Sequence, residues 1–325
     1  MKRAGLILTA IVMLFTLCGC SSAYQDGFIA MDAPFTLSIT GKDAKIAADE
    51  IEAETKRLEK LFSVTDESSE ISLINQSDSA VKVSDETARL IHRARMISEL
   101  TDGCFDISVY PLVELWGFTK DKNKVPTDNE ISQALKKVDH NKIVIGLDGI
   151  TFDGKLDLGG IAKGYACDRA LDILNKYNVE KAIVSSGSSI LLKGGEFRVG
   201  IQHPVKSDEL ICVLKASDTN VVTSGGYQRN FEKDGKVYHH IIDTKTGKPA
   251  ESGIISATAI CADGTLADGL STALYVMGVD KAIELYKTHG GFDMILVTEK
   301  EIHSTLDIEV SDNEYYLHYI NKEDG

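Results

Sequence analysis

Basic charge is scarce in this 325-residue chain: 35 Lys and Arg stand against 49 Asp and Glu, a formal net charge of −14. Affinity for a phosphate backbone is carried by clustered Lys and Arg, so nucleic acid is excluded as a partner. Paired cysteines are also missing. The six Cys show neither CxxC nor zinc-ligand spacing, which argues against a zinc ribbon or a dithiol redox centre. The chain has no dinucleotide fingerprint and no P-loop, and none of its serines sits in a G-x-S-x-G elbow, which weakens a Ser/His/Asp hydrolase reading. No repeat period, low-complexity run or long linker divides it.

A membrane-spanning apolar run is absent as well. The longest, Leu6–Leu17, follows Lys2 and Arg3 and precedes Leu17-Cys18-Gly19-Cys20. Its length is that of a signal peptide rather than a span. The ending resembles a bacterial lipobox, so residues 1–20 are expected to be a lipoprotein leader and Cys20 the acylated anchor. An ordinary secretory signal is the alternative. Either way the mature protein is expected to work outside the cytoplasm; the lipobox reading adds a lipid anchor at the membrane, with residues 21–26 as a short tether and 27–325 as one domain. Cys104, Cys167, Cys212 and Cys261 read as buried small hydrophobes.

What is present supports a large core, with 43% hydrophobic residues. Pro34–Thr40 alternates like a half-buried strand, and Asp43–Leu61 places Ile46, Ile51, Leu58 and Leu61 at helical spacing. A second helix fits Ser84–Leu100 with Ser84 as N-cap. Cys104–Phe118, with the only Trp, reads as core, although a wall of aromatics also suits a planar ring. A short helix at Asn129–Val138 and strands at Lys142–Ile145 and Gly149–Phe152 lead to Leu156–Leu171, read as strand end, glycine turn at Gly159-Gly160, and helix. Short strands recur to Lys236–Ile242, two helices cover Thr265–Lys287, and Met294–Val297 reads as the last strand. The expected fold is mixed α/β (α+β), with mixed sheets and flanking helices, as one domain or two lobes.

Three places carry chemistry. At the glycine turn, missing side chains let a phosphate approach backbone N–H groups, with Lys163 as a point charge and Asp157 beside it. Asp268 and Thr272 are one helical turn apart on one face, a carboxylate and a hydroxyl that suit Mg²⁺. The plainer alternative is an acidic residue complementing a helix dipole beside a Thr bonded to its own backbone. His240 can move a proton, with Asp243 to orient it.

The ordered blocks FS with SEISLIN, TDGCFDISVYPLVELWGF, LDLGGIAKGYACD, TSGGYQRNF with HHIIDTKTG, and ADGLSTALYVMG resemble the ApbE family of FAD:protein FMN transferases over about residues 28–300. The resemblance implies a Mg²⁺-dependent enzyme that cleaves FAD, links FMN through a phosphoester to a Thr or Ser of an acceptor flavoprotein, and releases AMP. By position, Met31, Cys104, Phe105, Asp106, Asp157, Lys163 and Ile242 are expected to contact FAD. The Gly160 carbonyl, Asp268 and Thr272 are expected to hold Mg²⁺, and His240 and Asp268 to serve catalysis. The chain departs from the family pattern at Asp32-Ala33, Val64-Thr65, Ser188-Ser189 and Thr244. Two other activities stay open: an FAD pyrophosphatase that uses water, and a non-catalytic flavin-binding lipoprotein.

Overall fold

The computed structural model describes residues 23–119 and 122–321. The expected leader and Cys20 lie outside the described residues. Strand β1 (Tyr24–Ala30) pairs antiparallel with β2 (Ala33–Thr40). It begins at Tyr24, so three residues of the expected tether are already strand. Phe35, Leu37 and Ile39 of β2 are buried, as the alternation requires. The hairpin turns on Met31 and Asp32, both at positive φ (52° and 56°), the turn type whose twist matches that of the flanking strands.

Helix α1 (Ala44–Phe62) buries Ile51 and Leu58, but Ile46 is 52% exposed. Its inward face is instead filled by Ala44, Ala47, Ala48 and Phe62. Next comes α2 (Glu70–Asn75), started by Ser69, whose side chain accepts from the Ser72 N–H. Helix α3 (Asp85–Leu100) follows its Ser84 cap as expected. The aromatic block forms a 3₁₀ turn and then α4 (Tyr110–Trp116), and α5 (Asp128–Leu135) opens on a capping box between Thr127 and Glu130. A small hairpin of β3 (Val144–Gly146) and β4 (Gly149–Thr151) precedes α6 (Gly159–Lys176).

The strand expected before the glycines is not there. Residues 155–158 belong to no strand, and Gly159 and Gly160 are the first two residues of α6. Leu156 is held by a side chain rather than a sheet: Asn75 accepts from its N–H (2.6 Å) and donates to its carbonyl (2.9 Å).

After α6 come β5 (Lys181–Ser185), β6 (Ser189–Lys193), β7 (Glu196–Gln202), β8 (Leu210–Ser217), β9 (Asn220–Gly225), β10 (Asn230–Lys233), β11 (Lys236–His239) and β12 (Ser256–Cys261). Then follow α7 (Gly264–Met277), α8 (Val279–His289), β13 (Asp293–Val297), β14 (Glu301–Ser304), β15 (Ile308–Val310) and β16 (Tyr316–Tyr319). Two expectations shift: β11 ends at His239 rather than Ile242, and three strands follow β13.

The fold is mixed α+β. A nine-stranded sheet has the order β1-β2-β5-β6-β9-β12-β13-β14-β16, antiparallel except for the β14–β16 pair. Helices α1, α6 and α7 pack on one face, around Ile51, Leu174, Leu270 and Leu274. The sheet β15-β8-β7 covers the other face through Val199, Ile211 and Leu214. Because both faces are covered, β12 is buried at every residue and shows no alternation. Cys104, Cys167, Cys212 and Cys261 are free and buried, as expected.

Candidate active site

The site grows from the contact of α6 with α7. A Cβ on Gly164 would run into the Gly264 carbonyl and stand 2.7 Å from Asp268 Cβ; one on Gly264 would stand 2.6 Å from the Gly164 carbonyl. Glycine at both positions lets the two backbones touch. That closeness brings the Gly164 N–H to Asp268 Oδ2 at 2.8 Å. Burial raises the Asp268 pKa, and the Lys163 charge partly offsets this. In a regular helix the Gly164 N–H belongs to the Gly160 carbonyl. Asp268 competes for it, which leaves that carbonyl lone-pair capacity for a cation.

Thr272, one turn further along α7, has its Oγ1 3.4 Å from Ser224 Oγ and 3.8 Å from where a Gly160 Cβ would stand. Gly160, Asp268 and Thr272 are therefore brought together, with Ser224 of β9 beside them. Ser224 also hydrogen-bonds Ser271 at 2.8 Å; its place here is set by sheet pairing, which left no local signal. Among the described residues no group of three or more His, Cys, Asp or Glu is placed to hold a metal ion. The donors are hard oxygens: one carboxylate, one hydroxyl and one carbonyl. That set fits Mg²⁺, which completes its shell with phosphate and water.

Asp157 lies at the entrance to α6. Its Oδ1 accepts from the Gly159 N–H at 2.7 Å, and its own N–H donates to the Ile107 carbonyl at 2.8 Å. Burial raises its pKa, with Lys163 and Arg229 pulling the other way. Lys163 is half-buried and has no side-chain hydrogen bond among the described residues, so its charge acts on Asp157 and Asp268 together.

The turn at 101–106 forms the next wall. Cys104 and Phe105 are buried, and burial raises the Cys104 thiol pKa. A Cβ on Gly160 would stand 3.0 Å from the Phe105 ring. Asp106 is turned inward: Oδ1 accepts from the Ser108 N–H (2.8 Å) and hydroxyl (2.6 Å), while Oδ2 meets His140 Nδ1 at 2.8 Å. This carboxylate raises the His140 pKa. Nothing in the sequence pattern pairs residues 106 and 140. The Thr244 hydroxyl donates to the Gly103 carbonyl. Met31 donates its N–H to Glu59 Oε1 at 2.6 Å.

His240 stands just past β11. Its backbone N–H and its Nδ1 both meet the Arg229 carbonyl at 3.1 Å. A carbonyl only accepts, so Nδ1 carries the proton and Nε2 keeps its lone pair. Burial pushes its pKa down to about 4, so the ring is neutral near pH 7. Asp243 does not orient it. That carboxylate accepts from the Lys245 N–H at 2.8 Å and shapes the following turn; the Arg229 carbonyl orients the ring instead. Ile242 is buried and bridges to Pro249. Arg229 Nη2 lies 4.0 Å from Asp32 Oδ2, both exposed. Trp116 belongs to the core: it is 2% exposed, stacks with Phe118 and donates to the Gly247 carbonyl at 2.9 Å. A cleft of about 460 Å³, lined by Asp218, Cys261 and Phe292 among others, includes none of these residues.

Set beside known proteins, residues 31–296 match the model of the ApbE family. The FAD:protein FMN transferase of Klebsiella pneumoniae is 32% identical over 286 residues, covering 85% of this chain and 89% of that protein. The crystal structure of the ApbE protein from Thermotoga maritima superposes with a TM-score of 0.81 at 35% identity, covering 90% of this chain and 97% of that one. The flavin transferase ApbE from Vibrio cholerae superposes at 0.76 with 28% identity, over 86% of this chain and 94% of that one.

Proposed function

The chain belongs to the ApbE family, and on that premise we propose that it is an FAD:protein FMN transferase acting with Mg²⁺ on an extracytoplasmic flavoprotein. The observation that carries the reading is the meeting of Gly160, Asp268 and Thr272 at the α6–α7 contact, residues that carry a carbonyl, a carboxylate and a hydroxyl oxygen, next to Lys163. These oxygens would hold Mg²⁺, which when bound neutralises charge on the FAD pyrophosphate.

The chain's own groups do the rest. Lys163, in the first turns of α6, meets the phosphate charge. Cys104, Phe105, Met31 and Ile242 supply apolar surface for the flavin. His240 Nε2 takes the proton from an acceptor Thr or Ser hydroxyl. The hydroxyl oxygen then bonds to the FMN phosphorus, the bond from that phosphorus to the AMP oxygen breaks, and AMP leaves with the electron pair. Transfer outruns water when the acceptor hydroxyl is held in line, an advantage that reaches roughly 7 kcal/mol.

The test supplies FAD, Mg²⁺ and an apo-flavoprotein from the same organism, then follows acceptor mass and AMP together. One FMN phosphate adduct per AMP is the expected result. Stoichiometric AMP and free FMN with an unchanged acceptor would make the protein a pyrophosphatase, and FAD binding without AMP would make it a flavin carrier. Membrane attachment is assigned to Cys20. Among the described residues no helix is long and apolar enough to cross a membrane. Cys20→Ala is expected to move the protein from the membrane to the soluble fraction; an unchanged distribution would refute the anchor.

A further inference from the structure

An acceptor protein must deliver one hydroxyl to His240, and the two-stranded sheet β10–β11 that ends there has an open edge. Its turn is Asp234-Gly235, both at positive φ, and its register pairs Lys233 with Lys236, Phe231 with Tyr238 and Asn230 with His239. The ladder continues past the strands, where the His240 N–H donates to the Arg229 carbonyl at 3.1 Å. In an antiparallel pair only alternate residues exchange bonds. Positions 229, 231 and 233 therefore bond to β11, and Asn230 and Glu232 turn their backbone N–H and C=O groups outward. Among the described residues no strand other than β11 pairs with β10, and Asn230, Glu232 and Lys233 are exposed.

A lone hairpin is marginal in water, but this one is fastened on its other side. Tyr238 packs on Trp116 at 5.5 Å between ring centroids, and Phe231 on Phe118 at 5.6 Å. The edge is thus a firm template. One end of the edge is Arg229, whose carbonyl fixes the His240 ring.

We infer that the outer edge of β10 docks an extended segment of the acceptor polypeptide as an added strand, which sets its Thr or Ser at His240. The inference rests on the transferase reading and deepens it. Main-chain bonds from Asn230 and Glu232 supply the affinity.

The edge is tested by removing one outward donor. Glu232→Pro deletes an N–H that the hairpin does not use, and its ring crowds an incoming strand. The KM for an apo-flavoprotein that the wild type loads should rise about tenfold, with the KM for FAD unchanged. Glu232→Ala keeps the N–H and should leave the acceptor KM within about twofold of the wild type. Amide exchange on the wild type, with acceptor but no FAD, gives a second reading that needs no variant: Asn230 and Glu232 should slow, while Phe231, already bonded to β11, should not. An unchanged acceptor KM in Glu232→Pro, or unslowed exchange at β10, overturns the docking edge while leaving transfer intact. An equal loss in both Glu232 variants assigns the contact to the side chain and overturns the added strand. Wild-type AMP release with no acceptor loaded overturns the transferase reading and the edge with it.

Discussion

The two sides of the site are built differently. On the α6–α7 side, backbone touches backbone at Gly164 and Gly264, and Asp268 is buried against a main-chain N–H. On the opposite side, the 101–106 turn and the 240–249 segment are joined by Thr244 to the Gly103 carbonyl and by the exposed pair Lys245–Asp102 at 2.6 Å. The first side has no slack, because a methyl group has nowhere to go. The second is fastened by groups that water can replace, so it can give way to a large flavin and an incoming polypeptide. On the proposed function, both constructions have a use: the tight side would keep a metal set in place, and the loose side would admit a protein.

The sharpest way to break this contrast is to wedge the tight side. Gly164→Ala should cost about 3 kcal/mol through overpacking, read as a lower urea midpoint, and should take AMP release down with it. Full stability in that variant would show that the helices part easily and that the close contact is not a constraint.

Asp268→Asn keeps the shape and removes the charge. Transfer should fall at least about a hundredfold, while the urea midpoint holds or rises, since an ionised carboxylate is costly at this depth, as its raised pKa shows. Wild-type rates at limiting Mg²⁺ would remove Asp268 from the metal set.

The loop side holds two histidines with opposite shifts. Burial lowers the His240 pKa, so between its folded value and 6.5 the unfolded chain binds the extra proton and stability rises with pH. Asp106 raises that of His140, so its contribution is complete below the unfolded value and is lost as pH rises through the folded one. The acceptor kcat/KM should therefore show no His240 inflexion between about pH 6 and about pH 8. An inflexion in that range that vanishes in His140→Gln belongs to His140; one that survives would mean that His240 is solvated and titrates normally.

The smallest effect is expected at the exposed pair. Lys245→Ala should change stability by less than about 1 kcal/mol and FAD affinity only slightly, by titration calorimetry. A loss as large as that of Gly164→Ala would erase the difference between the two sides.

Elements were legible where one face is buried and the other is wet. Strand β2 alternates, and α3 announces itself with Ser84. Helix α2 was hidden because six residues are too few for a helical period, and only its Ser69 cap marks it. The inward face of α1 was misread at its start, where Ala44, Ala47 and Ala48 turn inward and Ile46 turns out. The glycines that open α6 suggested a turn. They are helical, and the space they leave is used by Phe105 next to Gly160 and by Asp157 next to Gly159.

By itself the sequence determined the element types over long periodic stretches, the inward place of the cysteines, and the ordered motifs that contain the site residues. These follow from local spacing and side-chain chemistry, which neighbouring residues carry. Only the tertiary structure decided that Gly164 gives its N–H to Asp268, that Asp106 turns to His140, and that a main-chain carbonyl, not Asp243, sets the His240 tautomer. Those choices depend on which backbone group lies nearest once helices and sheets have packed, and no local pattern records that distance.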